Sequence, residues 1–200
     1  MIMNVLIVFT HPKKECFNRN VLNAVISGLK AAGHNYQIAD LYAENFQPAM
    51  IEEDYAQFDR NPMPSEILTE QERVEWSDSV IFIFPLWWWS VPAMLKGWID
   101  RVISYGWAWE NPLDPSSGYL DDRKILVLVS AGASLAHLAK RDYDKALDIQ
   151  LNIGTWGYCG FRDVTMRIFE SVDEESPNAL FEKYFSEAEE MARNLFPAEN

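Results

Sequence analysis

Three short stretches hold residues whose types and spacing could do chemistry. The first is Thr10-His11-Pro12-Lys13-Lys14-Glu15-Cys16-Phe17-Asn18. It gathers a histidine and two lysines just before a helix start, where free N–H groups and the positive end of the helix dipole suit a phosphate. The same stretch also reads as a polar loop with Asn18 as the helix cap. Cys16 is either a thiol of lowered pKa at a helix start or a small residue packed by the loop. The second stretch is Pro85-Leu86-Trp87-Trp88-Trp89-Ser90-Val91-Pro92. Three consecutive tryptophans cannot all face one core where the chain turns from strand to helix. At least one is therefore expected on a ligand side, where indoles favour stacking and edge contacts with planar rings. The third, Ser130-Ala131-Gly132-Ala133-Ser134, is small enough for backbone to approach a flat ligand, although a plain turn would look the same. Further aromatics in Tyr105-Gly106-Trp107-Ala108-Trp109 are open to three readings: core, dimer seam or pocket wall. Neither G-x-G-x-x-G nor G-x-x-x-x-G-K-[ST] occurs in the first loop.

The elements that must position these stretches follow from hydrophobic patterning. Residues 4–9, 79–84 and 124–129 are short, continuous apolar runs, as expected of strands buried on both faces. A weaker strand is expected at 36–41, and the last strand at 164–168. Val21, Leu22, Val25, Ile26 and Leu29 share one helical stripe, ended by Gly33. Another helix begins near Pro92 and carries Leu95, Trp98, Ile99, Val102 and Ile103 at helical spacing. Helices are also expected at roughly 143–153 and from Ser176-Pro177 onward. A shorter one is expected in the crossover 43–77, opened by the capping pattern Thr69-Glu70-Gln71-Glu72. Strands alternating with helices predict an α/β fold, a doubly wound parallel sheet covered on both faces. In such sheets ligands bind beyond the carboxyl ends of the strands, where the three stretches lie. An anion cradle, an aromatic wall and a small-residue loop form the set that a flavin asks for.

Length and charge bound the alternatives. Two hundred residues with 48% hydrophobic content predict one domain spanning 1–200. Lysine and arginine total 17 against 30 acidic residues, a net 17 − 30 = −13, which excludes a chain that grips nucleic acid through phosphate neutralisation. The longest uncharged run, residues 79–95, contains two prolines and falls short of the ~20 apolar residues of a membrane span. No basic region precedes an apolar run at the N-terminus, so no secretory signal is expected. Cys16 and Cys159 fit no metal spacing and suit a reducing cytoplasm.

Phe84-Pro85-Leu86-Trp87-Trp88-Trp89-Ser90-Val91-Pro92-Ala93-Met94-Leu95-Lys96-Gly97-Trp98-Ile99-Asp100-Arg101-Val102 closely resembles the F-P-L-x-W-x-x-V-P-A-x-L-K-G-W-x-[DE]-R-V signature of flavodoxin-like NAD(P)H dehydrogenases (quinone). This is the family of DT-diaphorase and the ancillary subunits of bacterial potassium-efflux systems. His11 with Phe17-Asn18 matches its H-x5-F-N, the stretch from Asp40 to Pro48 its D-L-Y-x-x-x-F-x-P, and Cys159-Gly160-Phe161 its C-G-F. The resemblance spans nearly the whole chain. It implies a flavodoxin-like five-stranded sheet of order 2-1-3-4-5 with helices on both faces. It also implies that His11, Phe17 and Asn18 hold the phosphate-bearing side of the flavin, with Cys16 where the family usually has Ser or Thr. Pro85, Leu86, Trp87, Trp88 and Trp89 would line the isoalloxazine, with Trp88 at the family's best-kept tryptophan. Ser130, Ala131, Gly132 and Ala133 stand at its T-T-G-G. Trp107 and Trp109 correspond to aromatics presented across a dimer interface.

The resemblance thus implies a flavin-dependent NAD(P)H:quinone-type oxidoreductase that works by ping-pong hydride transfer as a homodimer. FAD is the cofactor expected, with FMN open. One departure concerns the tyrosine that the family often has after T-T-G-G, because its position falls on Leu138. His137 and Tyr143 are the nearby candidates to stabilise reduced flavin, though neither is in register. A histidine suits that role by its pKa, and His137 reads equally as a surface loop residue. The alternative is a flavin-binding regulatory subunit of a membrane potassium-efflux system. A receiver-like module of similar topology would need an acidic residue at the end of the central strand, where Phe84-Pro85 stands.

Overall fold

The computed structural model describes residues 1–110, 120, 123–161 and 163–196. Five strands, β1 (Asn4–Phe9), β2 (Asn35–Asp40), β3 (Ser79–Pro85), β4 (Lys124–Ser130) and β5 (Asp163–Phe169), form one parallel sheet of order β2-β1-β3-β4-β5. The three continuous apolar runs occupy its centre, as strands buried on both faces must. The edge strands β2 and β5 alternate between exposed and covered positions.

Helices cover both faces. On one side α1 (Phe17–Ala32) packs with α6 (Asn178–Arg193), burying Val21, Leu22, Val25 and Leu29 against Tyr184, Ala188 and Ala192. The two helices approach so closely that a Cβ at Gly28 would stand 2.2 Å from the Glu189 carbonyl oxygen. On the other side lie α2 (Ser65–Trp76), α3 (Ala93–Val102), α4 (Leu135–Lys140) and α5 (Tyr143–Asp148). There Trp98 and Trp156 flank Phe82 of the central strand, Trp156 stacked on it at 4.4 Å and Trp98 edge-on at 5.8 Å.

Three local expectations are corrected. The helix expected to open at Thr69 begins at Ser65, after Pro64. Its buried stripe already includes Ile67, so a turn is needed before it, and Thr69 Oγ1 instead donates to the Ser65 carbonyl at 3.0 Å. The helix expected over 143–153 keeps α geometry only to Asp148, then continues as a π-helical segment, Ile149–Trp156. Asn18 is not the cap of α1; Cys16 holds that position, extended and without a side-chain hydrogen bond to the helix.

The crossover between β2 and α2 is tied to α3 by a buried ion pair. Arg101 and Asp54 are both fully buried, joined by bonds of 2.8 and 3.0 Å, and the Arg101 guanidinium also donates to the Gln47 carbonyl at 2.7 Å. Two sequence motifs meet there, because a Cβ at Gly97 would stand 2.1 Å from the Pro48 carbonyl oxygen. Among the described residues, no helix is long and apolar enough to cross a membrane.

Candidate functional site

The carboxyl ends of β1, β3 and β4 are adjacent in the sheet, so the loops that leave them converge. The loop after β1 leads into α1, whose first intrahelical acceptor, the Cys16 carbonyl, serves Arg19 and Asn20 at 3.1 and 3.2 Å. The N–H groups of Phe17 and Asn18 precede that ladder, as at any helix start. No acidic side chain occupies the first turn. His11 Nδ1 accepts the Lys13 backbone N–H at 3.1 Å, which leaves the imidazole proton on Nε2. Burial, with the charges of Lys13 and Arg19, holds the His11 pKa below 6.5. Arg19 is engaged elsewhere: it pairs with Asp40 at 2.7 Å and lies over the Phe9 ring. At the head of the loop, Thr10 is fully buried and its Oγ1 finds no hydrogen-bond partner, a combination uncommon in folded proteins.

Asn18 and Ser130, 112 positions apart in sequence, are brought together, Ser130 Oγ donating to Asn18 Oδ1 at 2.8 Å in a buried setting. That bond fixes the first turn of α1 to the end of β4. Phe17 points the other way: its ring packs among Phe169, Phe181, Tyr184 and Phe185. Only its backbone belongs to the helix start. Cys16 Sγ faces the Lys13 carbonyl at 3.5 Å.

After Pro85 the chain makes a tight hairpin turn. Trp87 and Ser90 exchange both backbone hydrogen bonds at 3.1 Å, and Trp88 and Trp89 between them have φ of 51° and 60°. Left-handed φ at both central positions normally calls for Asn or Gly, and here two tryptophans adopt it. All three indoles are exposed, Trp88 to 94%. Trp87 sits 6.2 Å from the His11 ring, linking the aromatic turn to the cradle. Leu86, Trp88, Trp89, Ala131, Gly132 and Ala133 line a cavity of about 180 Å³, with no charged residue in its wall among the described residues. Trp89 is stacked on Tyr143 at 4.2 Å and 16°, and on His137 at 5.9 Å and 23°. The two residues nearest the missing family tyrosine therefore both stand at the turn. Leu138 itself is buried.

With that geometry in place, likeness to known proteins is informative. The family model described as a flavodoxin-like fold matches residues 3–192. An NAD(P)H oxidoreductase of Haemophilus influenzae is 30% identical, the match covering 90% of this chain and 91% of that protein. Human ribosyldihydronicotinamide dehydrogenase [quinone] is 33% identical over 82% of this chain and 80% of its own. The solved NAD(P)H:quinone oxidoreductase from Methanothermobacter marburgensis superposes with a TM-score of 0.89 at 33% identity, covering 100% of this chain and 99% of that one. The chain belongs to the flavodoxin-like NAD(P)H:quinone oxidoreductase family.

Two of the family-derived positions lie away from the turn within the chain. Trp107 and Trp109 follow α3, whose ten residues carry the chain about 15 Å toward the opposite edge of the sheet. Trp107 Nε1 donates to Glu75 at 2.7 Å, and Trp109 packs with Tyr105 and Tyr158. Cys159 is buried and its thiol pKa is pushed up to about 12, so it is no nucleophile. Sequence reading missed Gln150, whose Oε1 accepts the Ser90 hydroxyl at 2.9 Å across 60 positions, and the orphaned Thr10 hydroxyl. Neither carries a motif; an exposed glutamine on a helix has no sequence signal.

Proposed function

We propose that this protein is a flavin-dependent NAD(P)H:quinone-type oxidoreductase that binds its two substrates alternately in one slot. The observation that carries the reading is the convergence, at one end of the sheet, of an open helix start and an uncharged aromatic cleft. The residues fit such a cofactor. The Phe17 and Asn18 N–H groups, His11 Nε2–H and the buried Thr10 hydroxyl with no partner supply donors for a phosphate. Trp87, Trp88 and Trp89 offer faces for the ring system, and the Ala131–Ala133 backbone lets it approach closely. A flavin held there would supply the redox chemistry, two-electron hydride transfer from NAD(P)H to a quinone, with water providing the proton that completes the hydroquinone.

The chain's own part is orientation and exclusion of water. His137 and Tyr143, both beside Trp89, are the residues we assign to offset negative charge on the reduced ring. Pro85, which ends β3, and Leu86, whose N–H donates to the Ser130 carbonyl at 2.7 Å, set the level at which the ring would lie. We propose FAD as the cofactor, with FMN the alternative.

A homodimer completes this reading. Beside α3, a cleft of about 380 Å³ is lined by Met50, Phe58, Ile99, Ile103, Trp109 and Tyr158 among others. Met50 and Phe58 are exposed, as is Ile153 next to Gly154 at its rim. The exposed Met50, Phe58 and Ile153, beside the Lys96–Asp100 ion pair in the same cleft, suit a partner surface, and a two-fold second copy would let Trp107 and Trp109 wall the other protomer's slot. Both cysteines are free thiols, which supports a cytoplasmic setting.

The test is an absorption spectrum of the purified protein, then anaerobic NADPH, then a quinone. Flavin bands that bleach with NADPH and return with quinone are expected, and chromatography of the released flavin identifies it. A protein that takes up neither FAD nor FMN on reconstitution refutes the reading.

A further inference from the structure

We infer that Gln150 is a positioning residue for the tryptophan turn, and that the π-helical segment exists to put it there. Two bulky residues in left-handed conformation persist only where their surroundings over-determine them. The turn's own backbone supplies two hydrogen bonds, between Trp87 and Ser90. His11 lies beside Trp87 and His137 of α4 stacks on Trp89, and two further restraints come from a single helical run. Tyr143, at the start of α5, stacks on Trp89 at 4.2 Å. Gln150, seven residues later in the same run, accepts the Ser90 hydroxyl at 2.9 Å. One clamp thus holds the ring of a central residue and the other holds the closing residue of the turn.

The phase of the helix decides whether both clamps can act. The α geometry ends at Asp148, so Gln150 lies in the first π turn. Thr155 Oγ1 donates to the Gln150 carbonyl at 2.8 Å, five residues back, in step with the wider winding. That winding is written into the glycines: a Cβ at Gly154 or Gly157 would come within 2.9 Å of the Ile149 or Asn152 carbonyl oxygen. π turns recur at functional sites because they reset the direction of a side chain; here the side chain is Gln150, and its target is the turn that lines the cleft.

The positioning itself stands on this geometry alone; its bearing on ring binding rests on the flavin reading above. The experiment uses full-length apoprotein with 15N-labelled indoles, the Trp88 and Trp89 resonances assigned by Trp88→Phe and Trp89→Phe. Gln150→Leu and Ser90→Ala are each expected to shift or broaden those two resonances and leave the core Trp98 and Trp156 signals in place. Gln150→Glu retains an acceptor for the Ser90 hydroxyl and is expected to restore the wild-type pattern. The double variant Gln150→Leu with Ser90→Ala is expected to match either single one, as partners in one interaction must. With flavin bound, quinone KM is expected to rise several-fold in Gln150→Leu with kcat nearly unchanged. Unmoved Trp88 and Trp89 resonances in both single variants overturn the inference whatever the activity. Resonances that move in a protein that takes up no flavin uphold the positioning role and refute the flavin reading instead.

Discussion

Trp88 shows how a residue can be chosen against local preference. Its side chain is almost wholly in solvent, and its φ of 51° suits glycine, so neither packing nor backbone preference accounts for it. A left-handed L-residue costs about 1–2 kcal/mol, partly offset on replacement by the extra entropy that glycine loses, about 0.5–1 kcal/mol. Trp88→Gly is therefore expected to raise stability by roughly 0.5–1 kcal/mol in urea denaturation. The same change should weaken flavin binding roughly 2- to 10-fold, the equivalent of one aromatic contact; titration by flavin fluorescence quenching measures it. Unchanged stability would mean that the turn carries no strain. The histidines add a pH dependence. Burial, then nearby positive charge, lowers His11 and His34 below 6.5, so the folded chain binds fewer protons than the unfolded one. Their contribution is fully present above the unfolded pKa and is lost as pH falls through the folded values. Between about pH 7.5 and 5.5 the urea midpoint of the wild type should fall further than that of a variant with both His11→Asn and His34→Asn.

Among the elements, α3 was the most legible from sequence, because the signature around it encodes packing as well as site. Its glycine is needed where Pro48 of the crossover rests on the helix, and its arginine is buried against Asp54. Gly97→Ala has no room: the Cβ meets backbone oxygen, and a loss of about 1–3 kcal/mol or more is expected, read as a lowered urea midpoint with m unchanged. The start of α2 was less legible, since Thr69-Glu70-Gln71-Glu72 has the chemistry of a cap but stands in mid-helix. The π segment was illegible in advance. Its backbone depends on glycine clearance from carbonyls of the same run, and hydrophobic spacing alone cannot distinguish that from an α-helix with two glycines.

For the whole molecule, the two sides of the sheet differ in what they leave uncovered. On the α1–α6 side the two helices pack closely, and a cleft of about 410 Å³ between β4, β5 and α6 has a largely charged rim that includes Lys124, Asp163, Glu187 and Glu190. The α2–α3 side leaves a cleft of about 380 Å³ beside Trp109 and Tyr158 that carries the exposed Met50 and Phe58 as well as Lys96 and Asp100. Sedimentation velocity should show a dimer for the wild type and a monomer for Phe58→Asp with Ile153→Asp. Acceptor turnover should fall in that variant if the second copy supplies a wall of the slot. A wild type that sediments as a monomer would leave Trp107 and Trp109 without a role at the site.

The hydrophobic pattern by itself determined a doubly wound parallel sheet and the end at which its cleft lies, while the strand order came from the family resemblance. Continuous apolar strands must be buried on both faces, and in a doubly wound sheet the loops at their carboxyl ends must converge. It also determined that His11, the three tryptophans and the small residues after β4 would meet. Only the tertiary structure decided which way each side chain turned. Phe17, adjacent to the cradle in sequence, faces the α6 core, while Tyr143 and Gln150, 53 and 60 positions or so beyond the turn, reach back to hold it. Hydrophobic pattern fixes which face of an element is buried. Long-range hydrogen bonds and ring contacts depend on where other elements come to rest, and a single sequence carries no local signal for them.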